Sequence, residues 1–372
     1  MGVALESLEI AGFTSIGRAR LDLTSDVTLL VGGNGSGKSN LVAAFEMLGR
    51  VVDRQLNRHL VQNGGFDRFL HRSPSGGAAE RIELTAWGEG SLANGYRAQL
   101  FPTSGDRGAV EEWTYFHDRS NFPRPHSVHL GVSAESMLAD VAETRPRERF
   151  VLDLLAGCRV FHFDDTSSDA APKKTVDIAD SLTLHPDARN LAAVLLAMRD
   201  EDAACYRRIV RAVRSVAPFF DDFVLVPRNG HVQLRWSEQG VDGAFSADAL
   251  SDGTLRFICL ATLLLQPSAP ATIVLDEPEL GLHPFAIHQL AGLLRAAASS
   301  RKIVAATQSV TLLEQFTVEE VAVVERGDDG TTVSRPDASR LRAWLDDYTL
   351  GELWEKNVLG GRPGSTPRSE DG

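Results

Sequence analysis

An α/β fold is predicted, with a parallel sheet, a mixed antiparallel β-subdomain and an inserted α+β lobe, and three observations carry it. The apolar run Val27-Thr28-Leu29-Leu30-Val31 enters a glycine-rich loop, and Leu41-Val42-Ala43-Ala44-Phe45 leaves it with helical character. Residues 81–87, 96–101 and 110–117 alternate apolar and polar side chains, as half-buried strands between turns do. The last third alternates helical and strand-like segments, the grammar of a parallel sheet.

Along the chain, 4–10 and 15–23 read as strands ahead of 27–31, and the helix after the loop extends to about Val52. A short helical pattern covers 53–61, and 62–79 is a Gly-, Ser- and Pro-rich loop. After the three alternating stretches, a Pro-rich segment at 121–125 interrupts the pattern. Helical spacing covers 133–155, broken near Pro146, before a strand at 159–163. Residues 164–186 read as an irregular surface loop, 187–198 and 203–216 as helices, and 223–226 and 232–236 as strands. The closing alternation is helix 254–265, strand 273–275, helix 284–298, strand 303–306, helix 310–315 and strand 321–324. This divides the chain into 1–80, a mixed α+β region 81–245, a second α/β part 246–360, and a tail 361–372 expected to be disordered.

Composition narrows the function classes. Hydrophobic content of 43% with 24% charged residues is that of an ordinary folded domain, which points away from a fibrous or disordered chain. A net charge of -12 argues against a generally basic nucleic-acid binder, while leaving room for a local basic patch. Cys158, Cys205 and Cys259 follow no metal or redox spacing and suit a reducing compartment. No signal pattern opens the chain, and the longest apolar stretch, 257–265, is too short to span a bilayer. The expectation is a cytoplasmic protein without membrane contact.

Residues 32–39, Gly-Gly-Asn-Gly-Ser-Gly-Lys-Ser, carry the most chemistry. Gly32, Gly37, Lys38 and Ser39 occupy the fixed positions of a phosphate-binding loop in the strand–loop–helix context that loop needs. Backbone N–H groups freed by Gly32, Gly33, Gly35 and Gly37, with Asn34 and Ser36 between them, would cradle phosphates at a helix N-terminus. Lys38 would reach the β- and γ-phosphates and Ser39 would ligate Mg²⁺. The motif predicts a nucleoside triphosphate and Mg²⁺ as ligands.

Two further motifs complete a nucleotide site. The apolar strand 272–275 ends in Asp276-Glu277: the first carboxylate would help hold Mg²⁺, and the second would polarise the attacking water. One helix earlier, Ser251-Asp252-Gly253 opens 254–265, where Ser251 or Asp252 reads either as an N-cap or as a phosphate contact. Gln308 follows the strand 303–306, placed either to contact the γ-phosphate or water, or simply as a strand-end polar residue. His283, ahead of 284–298, reads as a helix cap or, by the resemblance these motifs carry to ABC-type ATPases, as a cross-dimer contact. Asp164-Asp165 read as a loop.

The order of these motifs resembles the ABC-type ATPase head of the P-loop NTPases, and within it the RecF/SMC-like branch. Residues 33–40, including Asn40 after Ser39, have that branch's form of the loop, and Leu8 through Ile16 resemble its opening strand and turn. Stand-alone bacterial ATPases of this branch, without a long coiled coil, share 65–71, 161–167, 250–267, 275–284, 307–309 and 347–354. The resemblance makes the nucleotide ATP and implies an ATP-sandwich homodimer in which Ser251 and Gly253, with Asp252 between them, act on the opposite protomer's ATP. It implies Glu277 as catalytic base, Asp276 supporting the metal, and Gln308 at the switch position. No glutamine is marked out for sensing the metal, Gln62 reading as a surface residue before that role, and no aromatic is marked out for stacking on adenine, Phe13 being only open to it.

The function this implies is an ATP-driven dimerisation switch in DNA maintenance, DNA repair or anti-phage defence, working with DNA or with a nuclease or Toprim-like protein. The alternative from a different class is an ATP-sensing protein-interaction module without nucleic-acid contact, which the acidic balance favours. Arg207, Arg211 and Arg214, roughly on one helical face beside Arg208, favour DNA. A transporter subunit fits less well, because the middle region and Gln308 both depart from that pattern.

Overall fold

The computed structural model describes residues 3–73 and 76–360. The chain opens with β1 (Leu5–Phe13) and β2 (Ile16–Asp22), an antiparallel pair with Ile10 opposite Ala19. β3 (Val27–Val31) is buried at every residue and runs through the glycine loop into α1 (Lys38–Val52). After α2 (Leu56–Gln62) come β4 (Ile82–Gly88), β5 (Leu92–Pro102), β6 (Gly108–Asp118) and β7 (His126–Ser133). These join β1 and β2 in a six-stranded antiparallel sheet, ordered β2-β1-β4-β5-β6-β7. The three alternating stretches are β4, β5 and β6. The sequence pattern did not announce β7, an edge strand largely exposed along both faces and therefore without apolar alternation.

α3 (Leu138–Ala142) and α4 (Pro146–Ala156) lead into β8 (Cys158–Phe161). The next region holds β9 (Val176–Asp177), α5 (Leu191–Glu201), α6 (Ala203–Val216), β10 (Phe220–Phe223), β11 (His231–Val232), β12 (Arg235–Glu238) and β13 (Phe245–Ser246). β10, β12 and β13 form a small antiparallel sheet, and β9 pairs with β11. The last part contains α7 (Asp252–Leu265), β14 (Thr272–Asp276), α8 (Pro284–Ala298), β15 (Lys302–Thr307) and α9 (Val310–Leu313). It closes with β16 (Val321–Gly327), β17 (Gly330–Ser334), α10 (Ala338–Leu345) and α11 (Leu350–Glu355).

A second six-stranded sheet, ordered β17-β16-β3-β15-β14-β8, is parallel except for the edge strand β17. Both of its faces are covered, which is why β3, β14 and β15 read as unbroken apolar runs. On one face Leu29, Leu275, Ala305 and Val323 pack with α5, α6, α7 and α8. On the other, Leu30, Val274, Val304 and Val324 pack with α1 and the inner face of the antiparallel sheet. The layers are therefore antiparallel sheet, α1, parallel sheet, helices. Residues 81–245 are spread through these layers: β4–β7 extend the first sheet, β8 edges the second, and α5–α6 belong to the helical layer. The register brings Val31 level with Thr307, and Asp276 level with Ala306, at the carboxyl edge of the parallel sheet. In open α/β sheets that edge is where ligands bind. The tail at 361–372 lies outside the described residues.

Candidate functional site

The glycine loop is shaped by what surrounds it. A Cβ on Gly32 would lie 2.3 Å from the Val324 carbonyl oxygen, and one on Gly37 would lie 2.1 Å from Thr331 Oγ1. Gly37 also caps α1 in the left-handed region, at φ 110°. Gly35, at φ +77°, faces open space, so the loop is packed from behind and clear in front. Thr331 Oγ1 donates to the Ser36 carbonyl at 3.0 Å and lies 2.7 Å from Ser15 Oγ. Asn40 Nδ2 donates to the same Ser15 hydroxyl at 2.6 Å, so Asn40 supports the loop through its side chain. Two segments distant in sequence, Ser15 and the β16–β17 pair, thus clamp it together with Asn40 of α1.

Lys38 is buried, its ammonium donating to the Gly32 carbonyl at 2.7 Å and the Gly33 carbonyl at 3.2 Å. Burial lowers its pKa, against the opposing pull of Glu277, Asp276 and Glu279. Those three carboxylates gather at and just beyond the end of β14. Burial raises the Asp276 pKa, and the Ser39 hydroxyl works against that shift. Asp276 Oδ1 is buried with no hydrogen-bond partner, as is Ser36 Oγ. An unsatisfied buried polar atom costs about 1–3 kcal/mol, so a ligand that meets both atoms has free energy to recover.

Glu277 sits at φ 42°, a left-handed backbone that costs a non-glycine residue about 1–2 kcal/mol. Its N–H holds the Ala306 carbonyl at 2.8 Å, fixing the strained turn to β15. Gln308 Nε2 donates to Glu277 Oε1, so the two predicted residues meet directly. Glu279, which the sequence did not mark as functional, is buried beside them. It accepts from Thr307 Oγ1 at 2.5 Å and from the Gln308 N–H at 3.3 Å, and burial raises its pKa. Its only sequence signal is a second acid two residues after Glu277.

Ser39, Asp276 and Glu277 line a cavity of about 210 Å³ with His162, Asp164 and Arg256. The sequence reading did not connect the loop after β8 to this site. Gln62 does not reach the cavity: it ends α2 exposed to solvent. Gln62 is thus the surface residue the sequence favoured, and Phe13 does not stack on a base, because its ring is fully buried against Phe69, with centroids 6.0 Å apart.

Ser251 caps α7, its Oγ accepting from the Thr254 N–H at 3.2 Å, and both Ser251 and Asp252 are exposed. Gly253 is pressed on the turn after β14, where a Cβ would come within 2.6 Å of the Gly281 carbonyl oxygen. His283 Nδ1 caps α8 by accepting from the Phe285 N–H at 3.2 Å. Leu280 and Phe285 beside it are 52% and 51% exposed. On α6, Arg207, Arg208 and Arg211 are exposed, whereas Arg214 is tied to Asp221 at 3.0 Å.

The residues present fit a nucleoside triphosphate and a divalent cation. The cradle is open in front and closed behind, the Lys38 ammonium lies against its Gly32 and Gly33 carbonyls, and Ser39 with the orphaned Asp276 oxygen supplies the hard oxygen donors Mg²⁺ prefers. None of the described helices is long and apolar enough to cross a membrane.

Comparison with known proteins shows the fold and the family. Over 80 residues the chain is 39% identical to the chromosome partition protein Smc of Rhodopirellula baltica, a stretch covering 21% of this chain and 7% of that protein. A solved Smc head bound to the C-winged helix domain of ScpA matches with a TM-score of 0.63 at 15% identity, covering 91% of this chain and 99% of that one. An Smc head with an extended coiled coil, bound to the C-terminal domain of ScpA derived from Pyrococcus furiosus, matches at 0.58 and 14% identity over 92% and 99%. A head with coiled coil and joint from Pyrococcus yayanosii gives 0.54 and 12% over the same shares. These likenesses establish an SMC-head-like α/β fold. A family model matches residues 27–314, from β3 past α9, and on that match the chain belongs to the P-loop ATPase family described as AAA domain, putative AbiEii toxin, Type IV TA system.

Proposed function

We propose that the protein binds and hydrolyses ATP, and that ATP closes two copies into a head-to-head dimer that hydrolysis reopens. The observation that carries this is the meeting, at one edge of the parallel sheet, of the glycine cradle with Asp276 and the strained Glu277. Loop N–H groups and Lys38 would hold the β- and γ-phosphates, and Ser39 and Asp276 would hold Mg²⁺. The bound cation would supply charge neutralisation on the phosphate oxygens. Glu277, oriented by Gln308, would accept the proton of the attacking water.

The exposed Ser251–Gly253 loop supports the dimer reading. It is a helix N-terminus whose Ser251 and Asp252 are exposed, flanked by the exposed apolar Leu280 and Phe285. A second copy's γ-phosphate would satisfy the first feature and its protein surface the second. Work in DNA repair or phage defence, with DNA, a nuclease or Toprim-like protein, or a ScpA-like subunit as effector, is the further part of the proposal. The free Arg207, Arg208 and Arg211 favour DNA among these.

ATP turnover of the purified protein, with and without DNA and with Lys38→Ala as blank, tests the reading. Turnover above the blank is expected, and severalfold stimulation by DNA would put nucleic acid in the cycle. Turnover no greater than the blank would overturn the enzymatic assignment. Turnover indifferent to DNA would favour a protein effector.

A further inference from the structure

Arg256, one turn into α7, has no part in the roles above, yet it is among the most constrained side chains near the site. It is 7% exposed, and among the described residues no carboxylate stands within ion-pair distance of it. Its donors go to main-chain carbonyls instead. Nε donates to Phe163 at 2.8 Å, Nη2 to Asp164 at 3.0 Å, and Nη1 to Leu280. A buried cation is ordinarily paired with an anion, because leaving water is costly. Here the compensation comes from three carbonyl dipoles, which fix the position of two otherwise irregular segments.

Those segments are the walls of the cavity that holds Asp276 and Glu277: the loop after β8 and the turn after β14. Gly253 touches the same turn from the same helix, through the Gly281 carbonyl. An unbroken covalent and hydrogen-bonded path therefore runs from Ser251, through the first turns of α7 and Arg256, to the turn beginning at Glu277. The left-handed Glu277 backbone needs external support to persist, and Arg256 holds the far end of that turn.

We propose that Arg256 is a positioning residue that couples the Ser251 end of α7 to Glu277 and the His162–Asp164 loop. Engagement of Ser251 by the partner's nucleotide thereby sets the geometry for hydrolysis in the protomer's own site. The inference rests on the reading of Glu277 as the base. Lysine cannot replace this arginine: one ammonium cannot bridge three carbonyls that a planar fork spans.

The test uses the full chain and measures three quantities: affinity for a fluorescent ATP analogue, steady-state kcat and KM, and ATP-dependent dimer mass in a Glu277→Gln background. Arg256→Ala and Arg256→Lys should both lower kcat about 30- to 100-fold, the size expected for a displaced catalytic group. Affinity should stay within about threefold, and Arg256→Lys with Glu277→Gln should still dimerise. Cys259→Ala, one turn on and also buried, controls for packing loss and should leave kcat unchanged at comparable loss of Tm. Should Arg256→Ala fail to fold, Arg256→Lys carries the test. Unchanged kcat in the Arg256 variants, an equal loss in Cys259→Ala, or loss of dimerisation in the double variant would overturn the role. A wild type that turns over ATP as well as Glu277→Gln does would instead remove Glu277 as base, and the inference with it.

Discussion

Two helix N-termini carry the candidate chemistry, and the chain treats them in opposite ways. The loop before α1 is enclosed: Lys38 and Ser36 are buried, and Thr331, Ser15 and Asn40 brace it from behind. The loop before α7 is bare: Ser251 and Asp252 are exposed, and the Ser251 hydroxyl does no more than cap its own helix. Both offer N–H donors and the positive end of a helix dipole to an anion. The first has its lysine, its hydroxyl and its carboxylates within the same chain. The second has no lysine, its Ser251 hydroxyl faces its own helix and its Asp252 carboxylate is exposed, so it is suited to a phosphate that another molecule brings.

The largest effect should come from the enclosed loop. Lys38→Ala is expected to lower ATP turnover about 100-fold or more, since it removes the cation at the phosphates, and a coupled phosphate-release assay checks this. Ser251→Arg should sharpen the contrast by abolishing ATP-dependent dimerisation. Nucleotide affinity should stay within about threefold, because Ser251 does not line its own protomer's cavity; the lost cap should cost about 1 kcal/mol of stability instead. Loss of nucleotide binding in titration calorimetry would mean that Ser251 serves its own protomer and that the two loops are not divided in this way.

Asp276→Asn has a signed pH dependence. Burial raises the pKa of this carboxyl in the folded state, so its contribution favours folding below the unfolded-state pKa and is lost as pH rises through the folded value. The nucleotide-free variant should therefore melt higher than wild type near neutral pH, the difference closing in acid, while its Mg²⁺-dependent turnover disappears. Equal melting temperatures at neutral pH would mean Asp276 is not strained by burial. The smallest expected effect is that of Thr331→Val, which removes the hydroxyl linking Ser36 and Ser15. A loss of about 1–2 kcal/mol is expected, read as a several-fold rise in KM with kcat nearly kept.

The sequence showed the enclosed loop far better than its supports. Gly32 through Ser39 are contiguous and flanked by β3 and α1, so spacing alone identified them, and Asp276-Glu277 stood out because a doubly covered strand is a plain apolar run. Thr331 lies 316 positions from the Ser15 it bonds, and no local pattern reports such a contact. Arg256 stands in a helix that is almost wholly apolar and buried from Leu255 to Leu265, and no local pattern reports that its partners are carbonyls on two other segments. The role of Phe13 stayed open in the sequence because a turn-flanking aromatic has the same local pattern whether its ring faces the core, as here, or a ligand. β7 escaped for the complementary reason, being an edge strand with little to bury.

The claim that the bare loop is completed by a second copy is tested most directly by the mass of Glu277→Gln in solution, with and without saturating MgATP. Light scattering should report a monomer without nucleotide and a stable dimer with it, since binding without hydrolysis traps the closed state. A strictly monomeric variant at saturating ATP would contradict the account.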